Sequence, residues 1–580
     1  MVTPRVVQLP RIAVQPSLPL VLDDLSRPES HIAAENAWVS AYDGRTRSAH
    51  ARIRVSEGEH PGECDLDPLD HLVADLALDP THCAVRLAVP ALGIRPTTAL
   101  LPSPRLNPLR PASSSSALRN PTSLDKPAPA FLASSSASTA LSLVVPSPTS
   151  DKLLLAGADG HARVVHLVGG GGAAHDSAPR KGPEVRLRGH VGDVCAAGWA
   201  ASGEVVVTAA SDMTVRVFSA ADGSSPRVAA VPPQRPTSLL PLLSPVPRAS
   251  PSETSAPQQQ PHKGRHVLVS SQSGTLTLLD LSPSPPAPLH TWRLPAPVTA
   301  CAVLLAAPED EDEDPDDVGR ARYALAAARD GTVRLVPLSL AAAAAAAGEQ
   351  VQGRVLLRAP PASGGITALA ALRHGAERER EGGWTVALGT GDGTVAVFDV
   401  PRAAVVAAGE QEQEQELERE REQEQAPEGG RELAPRVVWR RTPLESEEGP
   451  SAASGAGIHA LVLSRRARTC EALEGEGERG AQSVLVAPGD GLAYRAGLRR
   501  RPGSATMAGR AGAGAGAGEP EGGGAQEEEE EEEEDERLVH VEEELVGLDC
   551  EPARSIAEDA HGRVWVVGGG AVRVYERREL

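Results

Sequence analysis

The sequence predicts an all-β protein, a propeller of seven sheet repeats, on three observations. The first is a figure that returns along the chain: two short apolar runs joined at a tight polar corner. It reads VVVTAASDMTVRVFSAADG from Val205 to Gly223, LAAARDGTVRLVPL from Leu325 and VALGTGDGTVAVFDV from Val386. The second is the chemistry of the corner. Asp-Gly supplies a side-chain acceptor and a residue that tolerates positive φ, as a tight antiparallel connection needs. The third is composition: only 2% of the 580 residues are aromatic, so any core must be assembled mainly from Val, Leu and Ala in strands packed between layers.

Seven such corners can be aligned: Asp159-Gly160, Asp212-Met213, Ser273-Gly274, Asp330-Gly331, Asp392-Gly393, Asp490-Gly491 and Gly569-Gly570. Upstream of most of them lies a further strand-like run: TALSLVV at Thr139, DVCAAGW at Asp193, VTACAVLL at Val298, ITALAAL at Ile366, IHALVLS at Ile458 and LVGLDC at Leu545. Each repeat therefore has at least three strands, and the segment after the corner can supply a fourth. Successive corners lie farther apart than the ~40 to 45 residues of a four-stranded blade. Low-complexity insertions at 244–264, 306–320, 403–436 and 500–536 account for the excess, and they are expected between repeats as disordered loops. The domain reading is a small N-terminal domain or arm over 1–110, a Ser/Pro/Ala linker over 111–138, and the propeller over 139–580. Within the first part, WVSAYDG and SAHARIRV read as two strands with a turn, and HLVADLALD as strand or helix.

The net charge of −21 belongs to insertions. Glu309 to Asp317, Glu410 to Gln425 and Glu527 to Glu536 together carry −24, so the remainder of the chain is slightly positive. Such runs repel themselves and are expected to be solvated. No basic patch with interleaved aromatics points to nucleic acid. The cysteines Cys64, Cys83, Cys195, Cys301, Cys470 and Cys550 form no C-x-x-C pair and give no zinc or disulfide framework. The N-terminus, broken by Pro and then Asp, makes a poor signal peptide, and no apolar run approaches 18 residues. A protein of the cytosol or nucleus is expected, with no cofactor, metal or small-molecule substrate and no membrane. Nor is there a P-loop, a G-x-S-x-G elbow or an H-E-x-x-H motif. GTGDGT, Gly389 to Thr394, joins two strands instead of opening a helix, so it is a hairpin and not a phosphate cradle. The expectation is a non-enzyme.

One repeat shows more. RGHVGDV sets Gly189 and His190 before the first strand, with Thr208 on the next strand, Asp212 at the corner and Phe218 on the third. This resembles the WD40 repeat, in which His, Ser/Thr, Asp and Trp form a buried hydrogen-bond chain. Phe218 lacks the indole N–H, so the chain is expected to stop at Thr208. A structural role, and no catalysis, is expected for His190 and Asp212. The fold class is thus all-β, a WD40-type β-propeller of seven blades with a small N-terminal domain.

A narrower resemblance follows. Ser211, Asp212, Met213, Arg216, Phe218, Ser219, Ala220, Asp222 and Gly223, then Gly264, Arg265, Val267 and Leu268, are similar to a blade of the proteasomal ATPase-associated factor family of WD-repeat proteins. AWVSAYDGRTRSAH resembles that family's N-terminal Trp-x-Ser-x-Tyr and Ser-x-His segment, and GLDCEPARSIAEDAHGRVWVVGGGAVRVYE its closing blade. Ser273 stands in place of the corner Asp and Leu279 in place of Trp. The resemblance implies a non-catalytic chaperone that binds the C-terminal region of a proteasomal ATPase subunit during assembly of the regulatory particle base. Corner and loop residues of the first blades, Asp193, Asp212 and Arg329 among them, are the candidate partner contacts. The rival readings use the same fold with another protein partner: a ubiquitin-ligase substrate receptor or a chromatin-associated scaffold, which an adaptor-binding helix or a basic-peptide pocket would mark.

Overall fold

The structure, a computed structural model, describes residues 6–102 (except 16, 26–31, 44–46, 59–63 and 80–83), 141–168 (except 159), 180–242 (except 232–233), 266–305, 321–338, 354–359, 364–374, 383–405 (except 403), 433–441, 457–465, 482–498, 539–546, 552–568 and 571–575. The linker 111–138, the insertions 244–264, 306–320 and 500–536 and most of 403–436 lie outside these residues, as do Asp159 and the corner Gly569-Gly570.

The N-terminal region holds β1 (Val6–Leu9), β2 (Arg11–Val14), α1 (Leu18–Leu25), β3 (Ala34–Tyr42), β4 (Ser48–Glu57), β5 (Cys64–Pro68), β6 (Ala74–Asp79), β7 (Ala84–Val89) and, after a 3₁₀ turn, β8 (Ile94–Leu100). The segment HLVADLALD is resolved as the strand β6. Seven sheets follow. Blade 1 is β9 (Leu141–Pro146), β10 (Lys152–Gly157), β11 (Ala162–Val168) and β12 (Arg180–Leu187). Blade 2 is β13 (Val194–Trp199), β14 (Val205–Ala210), β15 (Thr214–Ser219) and β16 (Arg227–Ala230), and blade 3 is β17 (Pro236–Leu242), β18 (His266–Ser271), β19 (Thr275–Asp280) and β20 (Ala287–Arg293). Blade 4 is β21 (Val298–Leu305), β22 (Ala321–Ala328), β23 (Thr332–Pro337) and β24 (Arg354–Arg358), and blade 5 is β25 (Ile366–Arg373), β26 (Gly383–Thr390), β27 (Thr394–Pro401) and β28 (Val437–Arg441). Blade 6 is β29 (Ile458–Arg465), β30 (Gln482–Pro488), β31 (Tyr494–Leu498) and β32 (Val539–Leu545), and blade 7 is β33 (Ala553–Glu558), β34 (Val564–Gly568) and β35 (Ala571–Tyr575). The inner strand of the last blade is therefore β33; the run at Leu545, read above as that strand, instead ends the outer strand of blade 6.

Within each blade the strands pair antiparallel in sequence order, and the first strands β9, β13, β17, β21, β25, β29 and β33 pack side by side until β33 meets β9, which closes the ring. The fold is a WD40-type β-propeller of seven blades. Second strands such as β26 are buried at every position because both sheet faces are covered by neighbouring blades. Every inner strand also carries a one-residue bulge at its second position, so that Ser142, Cys195, Thr237, Thr299, Thr367, His459 and Arg554 are skipped in the pairing. Some of these side chains bind the next blade: Arg235 Nε donates to Cys195 Sγ (3.2 Å), and His459 Nδ1 bonds Ala553 O (3.0 Å).

This strand order sorts the connections onto two faces. Fourth-to-first connections and the second-to-third corners share one face, here the corner face. First-to-second and third-to-fourth connections lie on the opposite one, the insertion face. The long insertions were expected between repeats, but 244–264, 306–320, 403–436 and 500–536 all interrupt a blade from within and leave from the insertion face. The three acidic tracts go with them.

Residues 6–102 build their own apolar core, with Ile12, Leu18, Val39, Ile53, Val85 and Leu87 at its centre. They do not stand apart from the ring. β1 pairs parallel with β28 at the outer edge of blade 5, and β8 pairs parallel with β32 at the outer edge of blade 6. Between these two additions lies a buried ionic cluster. Arg441 holds Glu544 in a bidentate pair and donates from Nη2 to Pro10 O (3.1 Å), Glu544 Oε1 accepts Ile12 N (3.1 Å), and Arg11 Nη1 reaches Asp490 Oδ2 (3.1 Å). Burial works against the Arg441 charge, and Glu544 beside it more than offsets this and raises the guanidinium's pKa.

Candidate functional site

Blade 2 brings the residues of the hydrogen-bond chain together. His190 lies in the connection from β12 to β13, Thr208 in the middle of β14 and Asp212 at the corner. His190 Nδ1 donates to Asp212 Oδ2 (3.0 Å), and the fully buried Thr208 hydroxyl donates to His190 Nε2 (2.8 Å). Asp212 Oδ1 takes Thr214 N (3.0 Å) and its hydroxyl (2.7 Å), while Oδ2 also accepts Val191 N (3.1 Å). Phe218 packs near the imidazole, its ring tilted by 59° at 6.3 Å between centroids. Gly189 is needed for its backbone: φ is 138°, and a Cβ there would meet the Arg216 guanidinium at 2.7 Å.

Burial lowers the His190 pKa, against the opposing pull of the Asp212 hydrogen bond, so the imidazole is neutral at neutral pH and the contact is not an ion pair. An unfolded histidine takes up a proton near ~6.5, whereas His190 in the folded chain resists until lower pH, so stability falls as pH drops below about 6.5. Asp212, lowered chiefly by the Thr214 and His190 hydrogen bonds against its burial, adds stability that is lost only as pH falls through its depressed value, below about 3.8. Urea unfolding at pH 7.5 and 5.5 is expected to show the first loss, and the loss should shrink in His190→Gln.

The other candidate contacts are spread over the corner face. Asp193 is half-buried at the end of the connection into β13, where its carbonyl accepts Ser211 N (2.8 Å) and its charge acts on Arg235. Arg329 is exposed at the blade 4 corner. Asp212 is taken up by its own corner, so of these three residues Asp193 and Arg329 have the open side chains.

Two residues beside Asp212 were given no contact role from sequence. Val191 is 92% exposed, and Met213 is 42% exposed with φ of 62°. At the equivalent position, Gly274, Gly331, Gly393 and Gly491 take φ of 81° to 86°. Met213 thus holds a left-handed conformation for which the other corners use glycine. Met213→Gly is expected to stabilise the fold by on the order of 0.5–1 kcal/mol in denaturant titration, the strain relieved being partly offset by glycine's unfolded-state entropy. The corner alignment already contained this signal, since Met stands there in a glycine column.

Charge is also uneven here. From blade 2 to blade 4 the corner face carries Arg188, Arg235 and Arg329 at its surface, with Arg216 and Arg334 behind, against Asp193, Asp212 and Asp330. Asp330, like Asp212, is engaged by its own turn through Thr332 N (2.9 Å) and its hydroxyl (2.6 Å). A second exposed patch lies on the N-terminal unit. Trp38 is 43% exposed while the other five tryptophans are buried, and along β3 and β4 it faces Arg52 with Ser40, Tyr42 and His50 on the same side. Among the described residues no group of three or more His, Cys, Asp or Glu could hold a metal ion.

No curated protein matches the chain. Among solved structures, the Cps50 (Swd1) β-propeller domain of Myceliophteria thermophila is similar, with 11% identity and a TM-score of 0.42 over 76% of this chain and 97% of that one. The WD40 family description (WD domain, G-beta repeat) matches residues 182–219, which the structure resolves as the outer strand of blade 1, the His190 connection and the first three strands of blade 2.

Proposed function

We propose that this protein is a non-catalytic scaffold that binds the C-terminal region of a proteasomal ATPase subunit and assists assembly of the regulatory particle base, in the cytosol or nucleus. WD40 propellers mediate protein–protein interactions, and a rigid disc with loops on two faces suits that task. The observation that carries the narrower reading is the segment Ser211 to Gly223. It bears the family resemblance, it forms one continuous corner and strand of blade 2, and it presents Met213 to solvent. The test is calorimetry of the full chain against the isolated C-terminal domain of each proteasomal ATPase subunit, at low and physiological salt. Saturable binding to one subunit is expected. Binding to none, by a protein with a native β spectrum and a cooperative melt, overturns the reading.

A further inference from the structure

Three independent features converge on one arc of the propeller. The corner face between blades 2 and 4 has short connections, while the three long acidic tracts, Glu309 to Asp317, Glu410 to Gln425 and Glu527 to Glu536, leave from the opposite face. The same arc exposes Arg188, Arg235 and Arg329, with only Asp193 not engaged in a turn. It also carries Val191 and Met213 on either side of Asp212, one nearly fully exposed and the other exposed at 42% in a left-handed backbone conformation that the other corners give to glycine. Strain kept at an exposed apolar side chain points to a use outside the fold.

We propose that this arc is a docking surface for an acidic segment of a partner protein, in which an apolar side chain packs on Val191 and Met213 and flanking carboxylates meet Arg188, Arg235 and Arg329. This deepens the preceding reading by placing its contact site and naming the partner's chemistry, and it rests on that reading only for the partner's name. Charge complementarity selects the occupant: a basic segment would face an excess of arginine, whereas an acidic one meets it with opposite charge. Exposed Met suits an interface that must adapt to its partner, and a small apolar centre on an arginine-rich face suits one in which few residues carry most of the binding.

The experiment uses the full chain and two probes. The first is a fluorescein-labelled Glu-Asp-Leu-Phe-Glu-Asp-Glu peptide, compared with its counterpart carrying Lys at every acidic position. The second is the set of isolated ATPase C-terminal domains. Fluorescence anisotropy is expected to show salt-sensitive binding of the acidic peptide alone. Met213→Gly should weaken it about tenfold without lowering Tm, and Arg235→Glu and Arg329→Glu should each weaken it about five- to tenfold. Deleting Glu527 to Glu536 should leave binding intact or tighten it. No binding of the acidic peptide, equal binding of the lysine peptide, or variants that bind like the parent each overturn the proposal. An ATPase domain that binds the parent and all variants equally leaves the function standing and removes this site from it. Binding of the acidic peptide at the arc with no ATPase domain bound does the reverse.

Discussion

Glu544→Ala is expected to destabilise the protein by about 3–5 kcal/mol, the usual result of removing one partner from a buried ion pair. Glu544 is 2% exposed and answers three donors: both terminal nitrogens of Arg441 and the backbone N–H of Ile12. Removing it leaves the Arg441 guanidinium buried against the Tyr494 ring (4.2 Å) without its bonded carboxylate, the nearby Asp490 being shared with Arg11, and orphans an N–H at the start of the N-terminal core. Urea unfolding followed by far-UV circular dichroism measures the loss. The double variant Arg441→Met/Glu544→Leu should be closer to the parent than either single change, because exchanging both charges for apolar groups leaves nothing unpaired. A double variant no better than Glu544→Ala would mean that the pair stabilises through its contacts with Pro10 and Ile12 more than through its charges.

The second large effect is expected at the ring closure. Asp559 accepts four donors, His561 N (2.9 Å), Arg563 N (3.0 Å), Arg563 Nε (2.6 Å) and Trp565 Nε1 (3.0 Å), and Arg563 then reaches across to Ser150 O of blade 1 (2.9 Å). Asp559→Ala is expected to cost about 3–5 kcal/mol by stranding a buried cation and an indole N–H together. Blades 7 and 1 should loosen first. Hydrogen exchange should therefore rise in β33, β34 and β9 before it rises in β18 or β22, whereas uniform acceleration would place the damage in global stability alone.

The parts of the fold legible in the sequence were those set by neighbouring residues. The corners at Ser273, Asp330, Asp392 and Asp490 are local, because an acceptor followed by glycine, which tolerates positive φ, fixes the turn wherever it sits, and the corner at Asp212 was readable from its flanking strands although Met213 stands in the glycine position. Inner strands were legible for the same reason in five blades, but not in blade 3, where the Pro-flanked PTSLLPL of β17 was not among the runs picked out, nor in blade 7, where the apolar run at Leu545 outweighed the mixed run of β33, ARSIAE. What stayed hidden depends on pairing over hundreds of residues. Nothing in VVQL or IRPTTAL announces that one joins β28 and the other β32 in parallel. The sorting of insertions onto one face likewise needed strand order, which spacing between corners does not contain. At the candidate site, His190, Thr208 and Asp212 were readable as a motif, whereas Val191 and Met213 became visible through exposure and backbone angle.

The parallel addition of β1 to β28 also has a consequence in time. Pro10 and Arg441 are 431 positions apart, and at ~5–20 residues per second a ribosome needs roughly 20–90 s to deliver the second after the first. For most of that interval the edge of β1, the partner face of β8 and the Ile12 amide have emerged ahead of β28 and β32, the strands that pair with them. The nascent chain thus carries sticky strand edges for longer than most single domains take to fold. Synthesis rate, and the holdases that occupy those edges meanwhile, should govern how much of this protein reaches its native ring.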